Sequence, residues 1–98
     1  MSTPRVVLYT KPGCHLCEDM RDQLEAALRD SAEPVHAVDI AGDLDLYMRY
    51  RYDIPVLVVD GREVARHRIS DVALSQALAA AGLREGYGTP QGRDGAQT

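Results

Sequence analysis

The sequence lacks the features that mark membrane-spanning, nucleic-acid-binding and disulfide-stapled proteins. No apolar run approaches the length of about 18 residues that a transmembrane helix needs. The 11 basic residues are outnumbered by 15 acidic ones, so the net charge is −4, and no lysine or arginine cluster is present to bind nucleic acid. The N-terminal stretch has no signal-peptide core. We therefore expect a cytoplasmic protein with no nucleic-acid or membrane partner.

Cysteine is scarce, and the two that occur, Cys14 and Cys17, stand three positions apart. Cytoplasmic thiols are kept reduced, so this spacing indicates redox chemistry or metal binding rather than a structural bridge. Zinc would need a second closely spaced pair of ligands, whereas His36 and His67 each stand alone in a predicted strand. We therefore predict no metal site.

The end of the sequence lacks the residues that build a core. Residues 84–98 contain no valine, isoleucine, leucine or methionine, and they hold four of the eight glycines. A segment of this composition has too little apolar surface to bury on folding. We therefore expect one domain over residues 1–83, acting as a monomer, followed by a flexible tail over residues 84–98.

Short apolar runs and helical stripes alternate along the rest of the chain. The last two strands are joined by Asp60-Gly61, a hairpin signal, and the first βαβ unit must be right-handed. We predict an α/β fold with a four-stranded mixed sheet (β-α-β-α-β-β-α) flanked by helices. The predicted strands are Val6–Tyr9, Val35–Ile40, Val56–Val59 and Arg62–His67. The first predicted helix is His15–Arg29, and the second is a short one from Asp43 to near Tyr52 with an apolar stripe of Leu44, Tyr47 and Met48. The third is capped by Ser70 and ended by Gly82, with a stripe of Leu74, Ala77, Leu78 and Ala81.

The two cysteines lie where a buried strand turns into a helix. At a helix N-terminus, unpaired backbone N–H groups and the positive end of the dipole stabilise a thiolate. Cys14, at the cap position, is the predicted exposed nucleophile, and Cys17, one turn in on the apolar stripe, is the predicted resolving thiol. Lys11 adds positive charge nearby. For His15 two roles stay open, namely support of the thiolate and plain solvation at the helix start.

Pro55 follows a predicted helix and directly precedes a strand, which is an unusual place for proline. Together with the cysteine spacing and the order of elements, this position predicts a cis Ile54-Pro55 bond beside the cysteines. We expect that geometry to leave the backbone groups of Ile54 free to pair with an extended thiol substrate.

Two other sets of side chains allow more than one interpretation. Three tyrosines of the second helix either line a substrate groove or pack half-buried. Three arginines alternate on the last strand, either as the charged solvent face of an edge strand or as an electrostatic docking site. The tyrosines are Tyr47, Tyr50 and Tyr52, and the arginines are Arg62, Arg66 and Arg68.

The stretch Tyr9–Cys17, which reads YTKPGCHLC, resembles the active-site pattern Tyr-Thr-Lys-x-x-Cys-x-x-Cys of glutaredoxins. The segment Asp53–Val56 resembles their Thr-Val-Pro segment. Residues 38–40 and 50–55 look like the matching parts of small bacterial glutaredoxin-like proteins. The resemblance covers residues 5–83 and implies a thioredoxin fold.

The resemblance also implies a thiol–disulfide oxidoreductase that reduces disulfides through a mixed disulfide, with Cys14 attacking and Cys17 resolving. Its substrate would be a disulfide-containing protein or a glutathione mixed disulfide. Glutathione, as a co-substrate, or a thioredoxin-type reductase would restore the dithiol, and no bound cofactor is implied. Two alternatives stay open: a dedicated electron donor to one protein partner with weak glutathione use, and a non-catalytic thioredoxin-fold binding module.

For glutathione, the resemblance is incomplete. Lys11 matches a lysine near the thiolate and the glutathione glycine carboxylate, and Ile54-Pro55 matches the cis-proline segment. Asp53 replaces threonine, and beside the thiolate it should disfavour an anionic ligand. The glycine pair that admits the γ-glutamyl end is absent, and only Ser70 and Asp71 are placed to substitute for it. We therefore expect weak glutathione binding.

Overall fold

Four strands and three α-helices follow one another in the predicted order in the computed structural model, which describes residues 4–83. The α/β class and the mixed sheet are confirmed. The predicted flexible tail lies outside the described residues. The elements are β1 (Val6–Thr10), α1 (His15–Ala27), β2 (Val35–Asp39), a 3₁₀ helix (Ile40–Gly42), α2 (Leu44–Tyr50), β3 (Val56–Val59), β4 (Arg62–Arg66) and α3 (Asp71–Ala80).

The strand order in the sheet is β2-β1-β3-β4. Strand β1 runs parallel to β2 and antiparallel to β3, and β3 runs antiparallel to β4. The two most apolar strands therefore occupy the centre, where both faces are covered. Strand β4 carries Arg62 and Arg66 and is an edge strand, as one of the two interpretations expects. The prediction is wrong for Arg68, which lies beyond the end of the strand.

The hairpin between β3 and β4 turns at the two predicted residues, Asp60 and Gly61. Both have positive φ, at 53° and 79°, as the tight hairpin turn requires. The Arg5 guanidinium fixes this turn through two hydrogen bonds to the Asp60 carboxylate, at 2.6 and 2.7 Å. Arg5 also donates to the carbonyl of Ala81, at 2.8 Å, so the turn is tied to the end of α3.

One face of the sheet is closed by α1 and α3. Side chains of β1 alternate between the two faces, and those of Val6 and Leu8 point to this one. Met20, Leu24 and Leu28, which continue the apolar stripe that begins at Cys17, are buried there. On α3 the leucines of the stripe are buried, Ala77 and Ala81 are partly buried, and Ser75 is buried without having been predicted. The core consists of Val6, Leu8, Met20, Leu24, Leu28, Leu57, Val59, Leu74, Leu78 and Leu83.

The opposite face is covered by α2 in a different way. Tyr50 stacks on Tyr9 of β1, with ring centroids 4.7 Å apart, and so turns toward the sheet. No residue of α2 is fully buried. Leu44 and Met48 of the predicted stripe are 75% and 58% exposed, whereas Tyr47 is half-buried. The helix has only seven residues, and its contact with the sheet falls on Tyr50 instead of on that stripe.

Several predicted boundaries move by one or two residues, and two of these shifts have a clear local reason. The carboxylate of Asp39 accepts the N–H of Ala41 at 2.8 Å and begins the 3₁₀ helix, so β2 ends before Ile40. Strand β4 ends at Arg66 because His67 takes a φ of 66°. The other shifts are those of β1, which extends to Thr10, of α1, which ends at Ala27, and of α2, which begins at Leu44 and ends at Tyr50.

Candidate redox-active site

The two cysteines form a disulfide at the N-terminus of α1, with their Cα atoms 5.2 Å apart. Cys14 is the N-cap residue, and its Sγ accepts the N–H of Cys17 at 3.1 Å. Gly13 makes this approach feasible, because the turn from β1 into α1 requires its φ of 79°. The predicted cap position of Cys14 is confirmed.

The two sulfur-bearing residues differ in accessibility. Cys17 is 3% exposed and lies one turn into α1, on the side of Met20 and Leu24 that faces the core. Cys14 is partly exposed, somewhat less open than the fully exposed position that we expected. A partner in solution can therefore approach Cys14 and not Cys17.

The Ile54-Pro55 bond is cis, as predicted. Tyr9 of β1 pairs with Val56 of β3, so the loop after β1 and the segment before β3 lie at the same end of the sheet. The expectation that the Ile54 backbone groups are free is wrong for the N–H, which donates to the carbonyl of Tyr50 at 3.1 Å at the end of α2. Within residues 4–83 no group donates to the Ile54 carbonyl.

Asp53 does not stand as an isolated negative charge. One carboxylate oxygen lies 2.9 Å from Nη1 of Arg66, which also forms an ion pair with Glu63. The hydrogen bond from Arg66 lowers the pKa of Glu63, and the two carboxylates raise that of Arg66. Because a cation from β4 compensates Asp53, its expected repulsion of anionic ligands is weakened.

Ser70 and Asp71 already have partners inside the chain. Ser70 is the predicted N-cap of α3, and its hydroxyl accepts the N–H of Ala73 at 3.0 Å. Oδ1 of Asp71 accepts a hydrogen bond of 2.9 Å from the amide of Gln23, which also donates to the carbonyl of Ile69 at 2.8 Å. Their role in glutathione binding stays a prediction.

His67, which follows β4, contacts the segment that contains the cis bond at two points. Its N–H donates to the carbonyl of Pro55 at 2.8 Å, and its Nε2 lies 2.9 Å from the carbonyl of Tyr52. Its φ of 66° is of the kind that favours glycine, in the stretch where the resemblance lacks the glycine pair. His15, by contrast, is exposed at the first position of α1, and both of its roles stay open.

A cluster of cations and tyrosine rings adjoins the cysteine loop. Nζ of Lys11 lies 5.9 Å from the centre of the Tyr47 ring, and Cζ of Arg51 lies 5.9 Å from the same centre. Arg51 also lies 4.7 Å from the centre of the Tyr52 ring. Of the three tyrosines, Tyr50 fits the packing interpretation because its ring stacks on Tyr9. Tyr52, in contrast, is 78% exposed.

Sequence reasoning missed the contacts that three residues make in this region. Gln23, Arg66 and His67 reach partners that are far away in the sequence, such as Asp71, and no local pattern marks such a contact. The one usable signal was the absence of glycine next to His67.

Neither a metal cluster nor a membrane helix is found in the described part of the chain. Residues 4–83 contain no group of three or more histidine, cysteine, aspartate or glutamate side chains that could hold a metal ion. The predicted absence of a metal site stays a prediction. No helix in this range is both long and apolar enough to cross a bilayer.

Comparison with solved structures defines the class of fold. The crystal structure of a variant of the thioredoxin-like protein BC3987 superposes with a TM-score of 0.56, covering 84% of this chain and 100% of that one. At 17% identity this likeness shows the fold alone, which is the predicted thioredoxin fold. The X-ray structure of protein XcR50 from X. campestris is 30% identical, with a TM-score of 0.65, and covers 76% of this chain and 96% of that one.

Sequence comparison then defines the family. The model of the glutaredoxin-like domain (DUF836) matches residues 5–79, so the chain belongs to this family. The uncharacterised protein Rv0508 of Mycobacterium tuberculosis is 30% identical in an alignment 86 positions long that covers 76% of this chain and 89% of that protein. The resemblance to glutaredoxin-like proteins is confirmed.

Proposed function

We propose that the protein is a thiol–disulfide oxidoreductase, in which Cys14 attacks a substrate disulfide and Cys17 resolves the product. One observation carries this proposal: the two cysteines are close enough to form a disulfide, yet only Cys14 is accessible. This arrangement suits a reaction in which the accessible thiol of Cys14 forms the mixed disulfide and the buried thiol of Cys17 attacks only that mixed disulfide. The intact pair also disfavours a purely structural binding module.

The reaction proceeds in two exchanges. The Cys14 thiolate attacks one sulfur of the substrate disulfide, a mixed disulfide forms, and the other substrate sulfur leaves as a thiolate. The Cys17 thiolate then attacks Sγ of Cys14 and releases the second substrate thiolate. The substrate disulfide gains two electrons, and the protein dithiol becomes the Cys14–Cys17 disulfide. In the disulfide form, the N–H of Cys17 points to Sγ of Cys14. The same N–H at the helix N-terminus favours the thiolate form of Cys14 once the pair is reduced.

The experiment compares two single substitutions. In the Cys14→Ser variant we expect reduction of a small disulfide to be abolished. In the Cys17→Ser variant we expect a mixed disulfide that accumulates and can be identified by mass spectrometry, because the resolving thiol is missing. Wild-type reduced protein should show faster alkylation of Cys14 than of Cys17 near pH 7. Equal alkylation rates would contradict the assigned roles.

The reductant that restores the dithiol distinguishes two forms of this function. One is a general glutaredoxin that uses glutathione, and the other is an electron donor to a specific protein, reduced by a thioredoxin-type reductase in the cytoplasm. The missing glycine pair favours the second form, and the two residues placed to substitute for it, Ser70 and Asp71, each already hold one partner inside the chain.

Glutathione use is measured in a glutathione-coupled thioltransferase assay, run beside an ordinary glutaredoxin. The loss of two or three hydrogen bonds, at about 1 kcal/mol each, should weaken glutathione binding by roughly ten- to a hundred-fold. We therefore expect much lower turnover at millimolar glutathione. Comparable turnover by the two proteins would favour the general glutaredoxin.

A further inference from the structure

The large hydrophobic side chains that are exposed within residues 4–83 are concentrated on one surface. Leu44, Met48 and Tyr52 are 75%, 58% and 78% exposed, and they occur at every fourth position of α2 and the turn after it. Side chains at this spacing lie on the same side of a helix. The fourth such residue, Val72, lies apart from them on α3. We call the first three the exposed α2 surface.

This surface adjoins the cysteine loop. Lys11, three positions before Cys14, reaches the ring of Tyr47 on α2, and Arg51 contacts both this ring and that of Tyr52. Tyr52 itself is linked through its carbonyl to His67, whose N–H holds the proline of the cis bond. A partner with a disulfide at Cys14 therefore has the exposed α2 surface within reach.

The end of this surface nearest the cysteines is cationic. Lys11, Arg49 and Arg51 contact aromatic rings, and no carboxylate among residues 4–83 forms an ion pair with them. These uncompensated cations stand out on a chain whose net charge is −4. A partner that covers them gains most if it brings carboxylates of its own.

The nearby carboxylates do not cancel these cations. Asp43 accepts the N–H of Leu46 at 3.1 Å as the N-cap of α2, and Asp45 lies in the first turn, so both are at the far end of the helix. Asp53 is paired with Arg66. Uncompensated positive charge therefore lies on the α2 side of the site, whereas Glu18 and Asp39 share a surface pocket with Lys11 and Cys17 on the other side of the cysteine loop.

The size of the surface fits a brief encounter. At their exposed fractions, the three side chains present on the order of 400 Å² of apolar surface. A stable interface buries about 800 Å² on each partner. A second copy of this chain would therefore gain too little to form a lasting dimer through the exposed α2 surface alone. A substrate that binds, exchanges its disulfide and leaves needs no more than this.

We propose that the exposed α2 surface docks disulfide-bearing protein segments that carry leucine-like side chains and carboxylates next to the disulfide. The inference rests on the proposed oxidoreductase function and names its substrate class. Apolar side chains of the segment cover Leu44, Met48 and Tyr52, and its carboxylates lie against Arg51 and Lys11. Docking holds the substrate disulfide at Cys14, and the exchange then follows the two steps given above.

The test uses two synthetic peptides that hold the same fluorescent thiol in a disulfide. In one peptide glutamate and leucine flank the disulfide, and in the other lysine replaces glutamate. We expect the reduced protein to react about tenfold faster with the acidic peptide at low ionic strength, with the difference shrinking as salt is added. Each rate is divided by the rate with bis(2-hydroxyethyl) disulfide, which is neutral and too small to reach α2.

Matched variants locate the effect on the surface. Arg51→Glu should abolish the preference for the acidic peptide, and Met48→Asp should lower the normalised rate with that peptide several-fold. Arg62→Glu on β4 and Val72→Asp on α3 change an exposed arginine and an exposed hydrophobic residue elsewhere, and both should keep the preference. Far-ultraviolet circular dichroism checks that each variant is folded.

The outcomes separate this inference from the proposed function. Failure to reduce the small disulfide contradicts the oxidoreductase function itself. Reduction of the small disulfide with equal peptide rates, or a preference that survives Arg51→Glu, overturns the docking surface alone. Sedimentation that shows a dimer at assay concentrations, disrupted by Met48→Asp, would assign the surface to a second copy and likewise overturn the proposal.

Discussion

The two faces of the sheet are built in opposite ways. On one face, α1 and α3 close over the strands, and the side chains of Leu8, Leu24 and Leu78 have no exposed surface. On the other face, no residue of α2 itself is fully buried, and Leu44 is 75% exposed. The first face therefore supplies most of the folding free energy, whereas the second leaves apolar side chains available to a partner.

The cysteine pair joins these two regions. Cys17 belongs to the closed face, where α1 packs on the sheet, and Cys14 is partly exposed at the end of β1. In the proposed reaction Cys17 acts last, and its buried position already holds its sulfur next to Cys14 before a substrate docks. In this proposal the face covered by α1 and α3 stabilises the fold, and the face covered by α2 contacts the substrate. The two sulfurs keep their places relative to each other when a substrate binds.

The largest expected effect is a difference in stability between two leucine variants, one on each of the two helix-covered faces of the sheet. Leu24→Ala should lower the free energy of unfolding by about 2–5 kcal/mol, because it leaves a cavity in the closed face. Leu44→Ala should change it by less than about 0.5 kcal/mol, because water already surrounds that side chain. Urea unfolding of both variants, followed by circular dichroism, measures the difference. Similar losses would mean that α2 is packed as tightly as α1.

A second prediction compares Tyr50, the last residue of α2, with Tyr52 in the turn that follows. Tyr50→Leu removes the stack on Tyr9 and should lower the free energy of unfolding by about 0.5–1.5 kcal/mol. Tyr52→Leu is the matched control, because that ring is 78% exposed and contacts Arg51 in solvent. We expect its effect to stay below about 0.5 kcal/mol. If Tyr52 proved the more stabilising of the two, α2 would contact the sheet differently from the structure described here.

The same contrast shows how far sequence reasoning reaches. Strands β1 and β3, the cap at Cys14 and the turn at Asp60 follow from neighbouring residues alone, and all were predicted. The stripe on α2 failed as a prediction of packing, because periodicity shows which side chains share a face and not whether another element covers that face. Leu44 and Leu24 obey the same helical spacing and end in opposite environments.

Contacts across the site were beyond prediction for a related reason. Gln23 reaches Asp71, and Arg66 reaches Asp53, only after the sheet and its helices have formed. An isolated sequence supplies many acidic and basic residues and no rule for choosing the pair. The partner of Asp53 in particular lies far along the chain, on β4, and the sequence did not reveal it.

The smallest expected effect is electrostatic and belongs to the closed face. The hydrogen bond from Arg5 lowers the pKa of Asp60 from its ordinary value of 3.8. Because the carboxyl pKa is lower in the folded protein than in the unfolded chain, the pair stabilises the fold above about pH 4. That contribution is lost as the pH falls through the lowered pKa of folded Asp60. The effect should be small, since both side chains are exposed to solvent.

Asp60→Asn isolates this contribution, since asparagine tolerates the φ of 53° at that position and carries no charge. The free energy of unfolding of wild type should exceed that of the variant at pH 7, and the two values should converge in acid. Added salt should narrow the gap at pH 7, because Arg5 and Asp60 are exposed. If the difference in free energy of unfolding between wild type and variant stayed constant from pH 7 to acid, the prediction would be wrong. Asp60 would then act through the shape of the hairpin turn, and Arg5 would hold the end of α3 through the carbonyl of Ala81 alone.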